Sequence, residues 1–210
     1  MDDSMVIDYV VDCKIDGVLV ECGVQSGRIE KIWIDKLKEK NEERDIYMYD
    51  TFTGLTEPSE RDLGFSEEYR NPQKVLNIWN RYNDEKLGVN TWCYCPLEKV
   101  ISNLLEMNYP FHKLHFIKGD VRKTLLDEKN IPDKIAVLRL DTDWYDSTKV
   151  ELETMWNNLV NGGVIIFDDY YYWRGQQDAV DEFFKGTKYE GQVKRFDIER
   201  SHIGYLFKNP

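Results

Sequence analysis

Clustered basic residues, paired cysteines and long apolar runs are all missing from this chain. Lys and Arg number 28 against 39 Asp and Glu, for a formal net charge of −11 and a pI near 4.8. Binding along a phosphate backbone needs clustered cations, so nucleic acid is not expected as a partner. A small anion held by a local basic patch stays compatible with this balance. No stretch reaches the ~20 apolar residues of a membrane span. The acidic start Met1-Asp2-Asp3-Ser4 lacks the basic and apolar regions of a secretory signal. No membrane partner is expected. Of the four cysteines, Cys93-Tyr94-Cys95 is a close pair without the second pair that a zinc site uses. Cys13 stands alone, and Cys22 lies in an apolar run, where a buried thiol is ordinary. A reduced, cytoplasmic protein is the expectation. His112, His115 and His202 are scattered, and His115 falls inside a strand, where a structural imidazole is expected. There is no internal repeat and no low-complexity tract.

What is present is enough for one domain with a substantial core: 210 residues, 41% of them hydrophobic. A weak helical spacing over 4–13 precedes a strand at 17–21. A helix then runs to about Lys40, and Ile46-Tyr47-Met48-Tyr49-Asp50 forms a second strand. Residues 51–95 are polar and punctuated by Gly54, Pro58, Gly64, Pro72 and Gly88, with one helix near 72–82. Such an insertion at a strand end is where lids and substrate loops sit. Helix 97–108, strand 114–118, strand 135–140, helix 147–160, strand 163–167 and helix 175–185 follow. Strands near 192–198 and 203–208 close the chain. This alternation predicts an α/β fold. Its sheet is doubly wound, mostly parallel and seven-stranded, and ends in an antiparallel hairpin.

The chemistry gathers at strand ends. Leu138-Arg139-Leu140-Asp141-Thr142-Asp143-Trp144-Tyr145 and Gly162 through Asp168-Asp169-Tyr170 are two apolar runs, each ending in acids and then aromatics. Ligands of open α/β sheets bind beyond the carboxyl ends of the strands. Asp141, Asp168 and Asp169 would meet there, and three carboxylates with room left over suit Mg2+. The strand is expected to end at Asp141 and the turn to carry Asp143 away. Asp146 or Ser147 is expected to cap the next helix. Trp144, Tyr145 and Tyr170 are candidate substrate contacts, since aromatic faces with polar tips suit sugars, although aromatics also pack cores. Arg174 is expected on the surface.

Glu21-Cys22-Gly23-Val24-Gln25-Ser26-Gly27, between the first strand and helix, departs from the G-x-G-x-x-G dinucleotide fingerprint. A helix N-terminus there still favours an anion. A ligand carboxylate, as in S-adenosylmethionine, would serve; so would a plain turn that needs Gly. Asp50, ending the second strand, stands where nucleoside-binding folds accept ribose hydroxyls, or it forms a turn. Asp120 after the third long strand is a candidate for an adenine amino group or a helix cap.

Together these blocks resemble the macrocin O-methyltransferase family. The resemblance rests on Val20-Glu21-Cys22-Gly23-Val24, on Tyr49-Asp50-Thr51-Phe52-Thr53-Gly54-Leu55-Thr56-Glu57-Pro58, and on Lys118-Gly119-Asp120-Val121. It rests too on Leu140-Asp141-Thr142-Asp143-Trp144-Tyr145-Asp146-Ser147-Thr148 and on Gly162-Gly163 to Asp168-Asp169-Tyr170. It spans roughly residues 17–208. It implies a class I methyltransferase, Rossmann-like, that uses S-adenosylmethionine and Mg2+ on a hydroxyl of a sugar or glycosylated small molecule. By position, Glu21, Gly23, Val24 and Ser26 would lie at the methionine moiety. Asp50, Thr51, Phe52 and Gly54 would surround the ribose, and Asp120 and Val121 would lie near the adenine. Asp141, Asp168 and Asp169 would hold the metal. Asp141, also beside the cofactor, is taken as the general base. Family members from antibiotic pathways carry a segment before the first strand that covers the active site. Only sixteen residues precede Gly17 here, so the 51–95 insertion is expected to substitute for that lid. Two other readings use the same acids: a metal-dependent glycosyltransferase built on Asp141-Thr142-Asp143, and a non-catalytic nucleotide-binding domain. The acceptor's identity and the oligomeric state are left open, a homo-oligomer included.

Overall fold

The computed structural model describes residues 3–195 and 202–209. Helix α1 (Asp3–Asp12) leads into β1 (Val18–Cys22), α2 (Arg28–Glu39) and β2 (Ile46–Asp50). Within the insertion lie α3 (Pro72–Tyr82) and a two-residue-per-strand hairpin, β3 (Asn83–Asp84) with β4 (Val89–Asn90). Then come α4 (Leu97–Leu105), β5 (Leu114–Lys118), the short α5 (Val121–Thr124), β6 (Ile135–Leu140), α6 (Tyr145–Met155), β7 (Leu159–Phe167) and α7 (Arg174–Phe184). Strands β8 (Lys194–Arg195) and β9 (Gly204–Phe207) finish the sheet.

The main sheet has seven strands in the order β5-β2-β1-β6-β7-β9-β8, parallel through β7 and antiparallel at β9 and β8. Side chains alternate across a strand, and this alternation sorts the core. Leu19, Met48, Val137, Val164 and Ile166 face α1, α2 and α4, while Val20, Tyr49, Leu138, Ile165 and Phe167 face α5, α6 and α7. The sheet is covered on both sides, which explains why β6 and the end of β7 read as unbroken apolar runs. The expected fold is therefore the observed one.

Some boundaries move. Helix α6 begins at Tyr145 and ends at Met155, short of the expected 160, and β7 starts at Leu159 rather than 163. The pairing of β6 with β7 shifts register between Ile135 and Val137, and Gly162 at φ 84° takes up the irregularity. A periodicity count cannot see such a bulge, because the extra residues belong to neither period. Of the expected strand at 192–198, Lys194–Arg195 is strand, Gln192 and Val193 are not, and 196–198 lie outside the described residues.

Residues 51–95 pack onto the carboxyl edge of the sheet. Val75 of α3, Leu55, Tyr69 and Trp92 form a separate small core with Trp144, Tyr172 and Trp173. The Trp144 indole donates to the Thr56 carbonyl at 2.8 Å, and that of Trp79 to the Leu55 carbonyl at 2.9 Å. Gly54, at φ 88°, permits the closest approach: a Cβ there would lie 1.6 Å from the Asn90 carbonyl oxygen.

The cap of α6 corrects an expectation. Neither Asp146 nor Ser147 supplies it. The side chain comes from the insertion: Asp62, 1% exposed, accepts the Tyr145 N–H at 2.7 Å on one oxygen and the Ser59 N–H and Oγ–H on the other. A helix start buried beneath another segment must find its acceptor there. Asp62→Ala would strand these donors and should destabilise the protein by about 1–3 kcal/mol. The check is the urea unfolding midpoint, with the m-value unchanged.

Candidate active site

Strands β1 and β6 are neighbours, yet the chain winds outward from them in opposite directions. This switch point opens a crevice at the carboxyl edge, and a cavity of about 370 Å³ lies there. Gly23 closes β1 and Asp141 closes β6. At φ 91°, Gly23 has no room for a side chain, since a Cβ would sit 1.9 Å from the Asp141 carbonyl oxygen. The Asp141 N–H donates to the Cys22 carbonyl at 2.7 Å, so the two loops are tied together.

Beneath the cavity lies Arg139, which the sequence reading passed over. It is 1% exposed and its guanidinium is ringed by acids. Nε donates to Asp3 at 3.3 Å, and Nη1 to Glu21 at 2.8 Å and to Asp141 Oδ2 at 2.5 Å. Nη2 donates to Asp168 Oδ1. Glu21 pairs in register with Arg139 across β1 and β6, and Asp141 follows Arg139 by two residues on the same face. Glu21 thus lies under the site as a partner of Arg139 and does not line the cavity. Burial, and next the neighbouring Glu30 carboxyl of α2, push the Glu21 carboxyl well above the ordinary carboxylate range.

Above Arg139, one oxygen from each of Asp141, Asp168 and Asp169 lies within 4.8 Å of the others. Three hard oxygen donors on an open cavity fit Mg2+, which takes carboxylates and keeps places for water or substrate. Burial and mutual repulsion disfavour ionisation of these acids. Burial, together with Asp168 and Asp169, raises the Asp141 carboxyl well above its usual range, against the pull of Arg139. Asp169 is raised in the same way by burial, Asp143 and Asp168. Asp143 does not turn away as expected. At φ 66° it curls back, its Oδ1 accepts the Trp173 indole N–H at 2.7 Å, and it lines the same cavity. Burial and the adjacent Asp141 push its carboxyl up to about 7.

At the other end, Asp50 Oδ2 accepts the N–H groups of Val24 and Gln25, both at 2.9 Å, and Oδ1 accepts that of Phe52 at 2.6 Å. One carboxylate therefore shapes the loops after both β1 and β2. Asp50, Thr51 and Gly54 line the cavity; Val24 and Phe52 are buried in the core with their backbones in these loops, and the Ser26 carbonyl accepts from Asn103 of α4. Asp120 caps α5 and is gripped by the Arg122 guanidinium at 2.7 Å, with Val121 beside it on the cavity wall.

The expected substrate contacts are elsewhere. Trp144 is 2% exposed in the insertion's core. The Tyr145 hydroxyl donates to Glu182 at 2.6 Å, with Arg61 stacked on its ring, and the Tyr170 hydroxyl donates to Asp181 at 2.5 Å. None of the three lines the cavity. Helix geometry points Tyr145 toward α7, and Tyr170 packs beneath the turn against Phe167. The aromatic wall consists instead of Tyr69, Trp92, Tyr172 and Trp173. Arg174 is exposed, and His115 is a structural residue that bonds Asp45 at 2.7 Å and stacks on Tyr47. All four cysteines are free.

The model of the macrocin O-methyltransferase family matches residues 3–202. The chain belongs to that family. Among curated relatives, a demethyldecarbamoylnovobiocin O-methyltransferase of Streptomyces niveus is 28% identical over 179 residues, 84% of this chain. A Streptomyces olivaceus 4'-O-methyltransferase, whose name specifies a dimethoxyrhamnosyl-tetracenomycin substrate, is 28% identical over 165 residues, 78% of this chain. The chain spans 62% and 57% of the length of these two relatives. Among solved structures, the O-methyltransferase NovP superposes with a TM-score of 0.78 at 23% identity, covering 99% of this chain and 78% of NovP. CalS11, a calicheamicin methyltransferase, gives 0.68 at 19% identity, covering 98% of this chain and 76% of CalS11. The class I methyltransferase fold follows from these likenesses. The family matched is not one of glycosyltransferases.

For a family member, this site makes a clear prediction about protons. Burial and mutual repulsion favour the protonated carboxyls of Asp141 and Asp169, and a metal held by them would favour the ionised forms. Mg2+ binding should therefore release protons, and its affinity should rise with pH. Calorimetric titration in two buffers of different ionisation enthalpy measures this; a metal affinity independent of pH would contradict it.

Proposed function

We propose that this protein transfers a methyl group from S-adenosylmethionine to a hydroxyl of a sugar or glycosylated small molecule, with Mg2+ held by Asp141, Asp168 and Asp169. The single observation that carries the reading is the three-acid group sharing one cavity with the Gly23 and Asp50 loops. Relatives named for glycosylated substrates support the acceptor class.

S-adenosylmethionine supplies a methyl group already activated on a sulfonium, and Mg2+ supplies Lewis-acid polarisation of an acceptor hydroxyl. The chain's own residues do the rest. The loop from Gly23 and the loop from Thr51 to Gly54, joined by Asp50, provide backbone polar groups for the cofactor, and Asp120 and Val121 form the far wall. Orientation of the two reactants in line contributes ~7–11 kcal/mol in favourable systems.

The acceptor proton needs a base. Asp141 was the expected one, but its Oδ2 accepts from Arg139 and the residue itself belongs to the metal group. Asp143 lies on the same cavity, free of Arg139, with one oxygen on Trp173. We therefore assign the proton to Asp143 and keep Asp141 as a metal ligand. The Trp173 indole fixes the carboxylate's orientation.

One set of assays tests this reading. S-adenosylhomocysteine should bind at one site per chain, and the absence of any heat or thermal shift at millimolar ligand would refute the cofactor. Methyl transfer to a vicinal-diol glycoside should stop with EDTA and return with Mg2+. Asp143→Asn should lower the single-turnover rate by ~10²–10⁴-fold, the usual scale for a positioned base, while weakening Mg2+ binding less than Asp141→Asn does. Asp141→Asn should weaken Mg2+ binding itself. If Asp143→Asn turns over normally, the base is elsewhere.

A further inference from the structure

Arg139 is more than a buried counter-ion. Four hydrogen bonds from its guanidinium go to four separate carboxylates, and at 1% exposure Arg139 does not line the cavity. Two of those carboxylates, Asp141 and Asp168, belong to the metal group. In each, Arg139 takes one named oxygen: Oδ2 of Asp141 and Oδ1 of Asp168. A guanidinium is a rigid fork of donors and can hold two carboxylates at fixed angles, which a lysine ammonium cannot.

We infer that Arg139 is a positioning residue that limits Asp141 and Asp168 to one metal-binding oxygen each and so keeps coordination places open for the acceptor. The inference rests on the Mg2+ reading above. Mg2+ is octahedral, so three single-oxygen carboxylates leave about three of six places. Two vicinal hydroxyls and a water fill that number. If Asp141 and Asp168 each gave both oxygens, about one place would remain, too few for a chelating diol. Glu21, in register beside Arg139, shares Nη1 with Asp141, and Asp3 of α1 takes Nε, so all three guanidinium nitrogens are engaged.

Mn2+ in place of Mg2+ makes the places countable. Water-proton relaxation of the Mn2+ complex reports exchangeable water molecules on the metal. The wild-type chain should show about three and the Arg139→Met/Glu21→Gln double variant about one; the second change avoids leaving Glu21 as an unpaired buried charge. Arg139→Lys, whose single nitrogen cannot hold the two carboxylates in the fork's fixed geometry, should give an intermediate count and decides the matter if the double variant does not fold. Folding is checked by thermal unfolding and by S-adenosylhomocysteine binding, which should not change. With an active acceptor, KM should rise more than tenfold in Arg139→Lys. Equal water counts in wild type and folded variants would overturn this inference and leave the metal reading standing. Loss of Mn2+ from folded variants would also overturn it, because Arg139 would then build the site rather than limit it. Failure of the wild type to bind Mn2+ would overturn the metal reading, and this inference with it.

Discussion

The pairing of one buried guanidinium with acids from three strands and a helix is the constraint on which the site depends. Arg139 sits in the central strand and joins β1 through Glu21, β7 through Asp168, α1 through Asp3 and its own strand end through Asp141. Burying any one of these charges alone would cost several kcal/mol; together, with hydrogen bonds made, they are tolerated. The arrangement fixes more than energy. It joins three strand ends beneath the cavity, and two of the acids it holds, Asp141 and Asp168, belong to the metal group.

The upper half of the site follows from that foundation. Backbone closeness at Gly23 and Asp141 brings the first loop against the acid turn, and Asp50 gathers the backbone N–H groups of two loops onto one carboxylate. The insertion then closes the remaining side. Its Asp62 caps α6, its Trp92 and Tyr69 meet Trp144 and Trp173, and Trp173 holds Asp143. Acid turn, helix start and aromatic wall are thus in direct contact, with Trp173 between the insertion and Asp143. A second buried acid works below this turn: Glu151 of α6, raised to about 8 by burial, accepts the Thr142 hydroxyl at 2.9 Å.

Local pattern determined much of this. Alternation of apolar runs and amphipathic stretches is a period that each segment carries alone, so the doubly wound sheet and the antiparallel end were legible. So were the acids at strand ends, because an apolar run that stops at Asp marks both its own boundary and the carboxyl edge. The family blocks around Asp50, Asp120, Asp141 and Asp168 pointed to the same edge. An arginine inside the otherwise apolar Ile135–Leu140 run was a signal available in the sequence: a cation in a covered strand needs partners nearby.

Tertiary structure alone decided the rest. Which carboxylates Arg139 would meet depends on the order β2-β1-β6-β7, which no local period encodes. Asp143 was expected outside the site, yet its positive φ and the Trp173 indole turn it back in. Trp144, Tyr145 and Tyr170 adjoin the acids in sequence but point into cores or toward α7, while Tyr69 and Trp92, some fifty residues or more earlier in the chain, form the wall. The sequence by itself determined which residue types reach the carboxyl edge, because strand length and period are local. Which side chains face the cavity was settled only by the fold, because that depends on contacts between segments far apart in the chain.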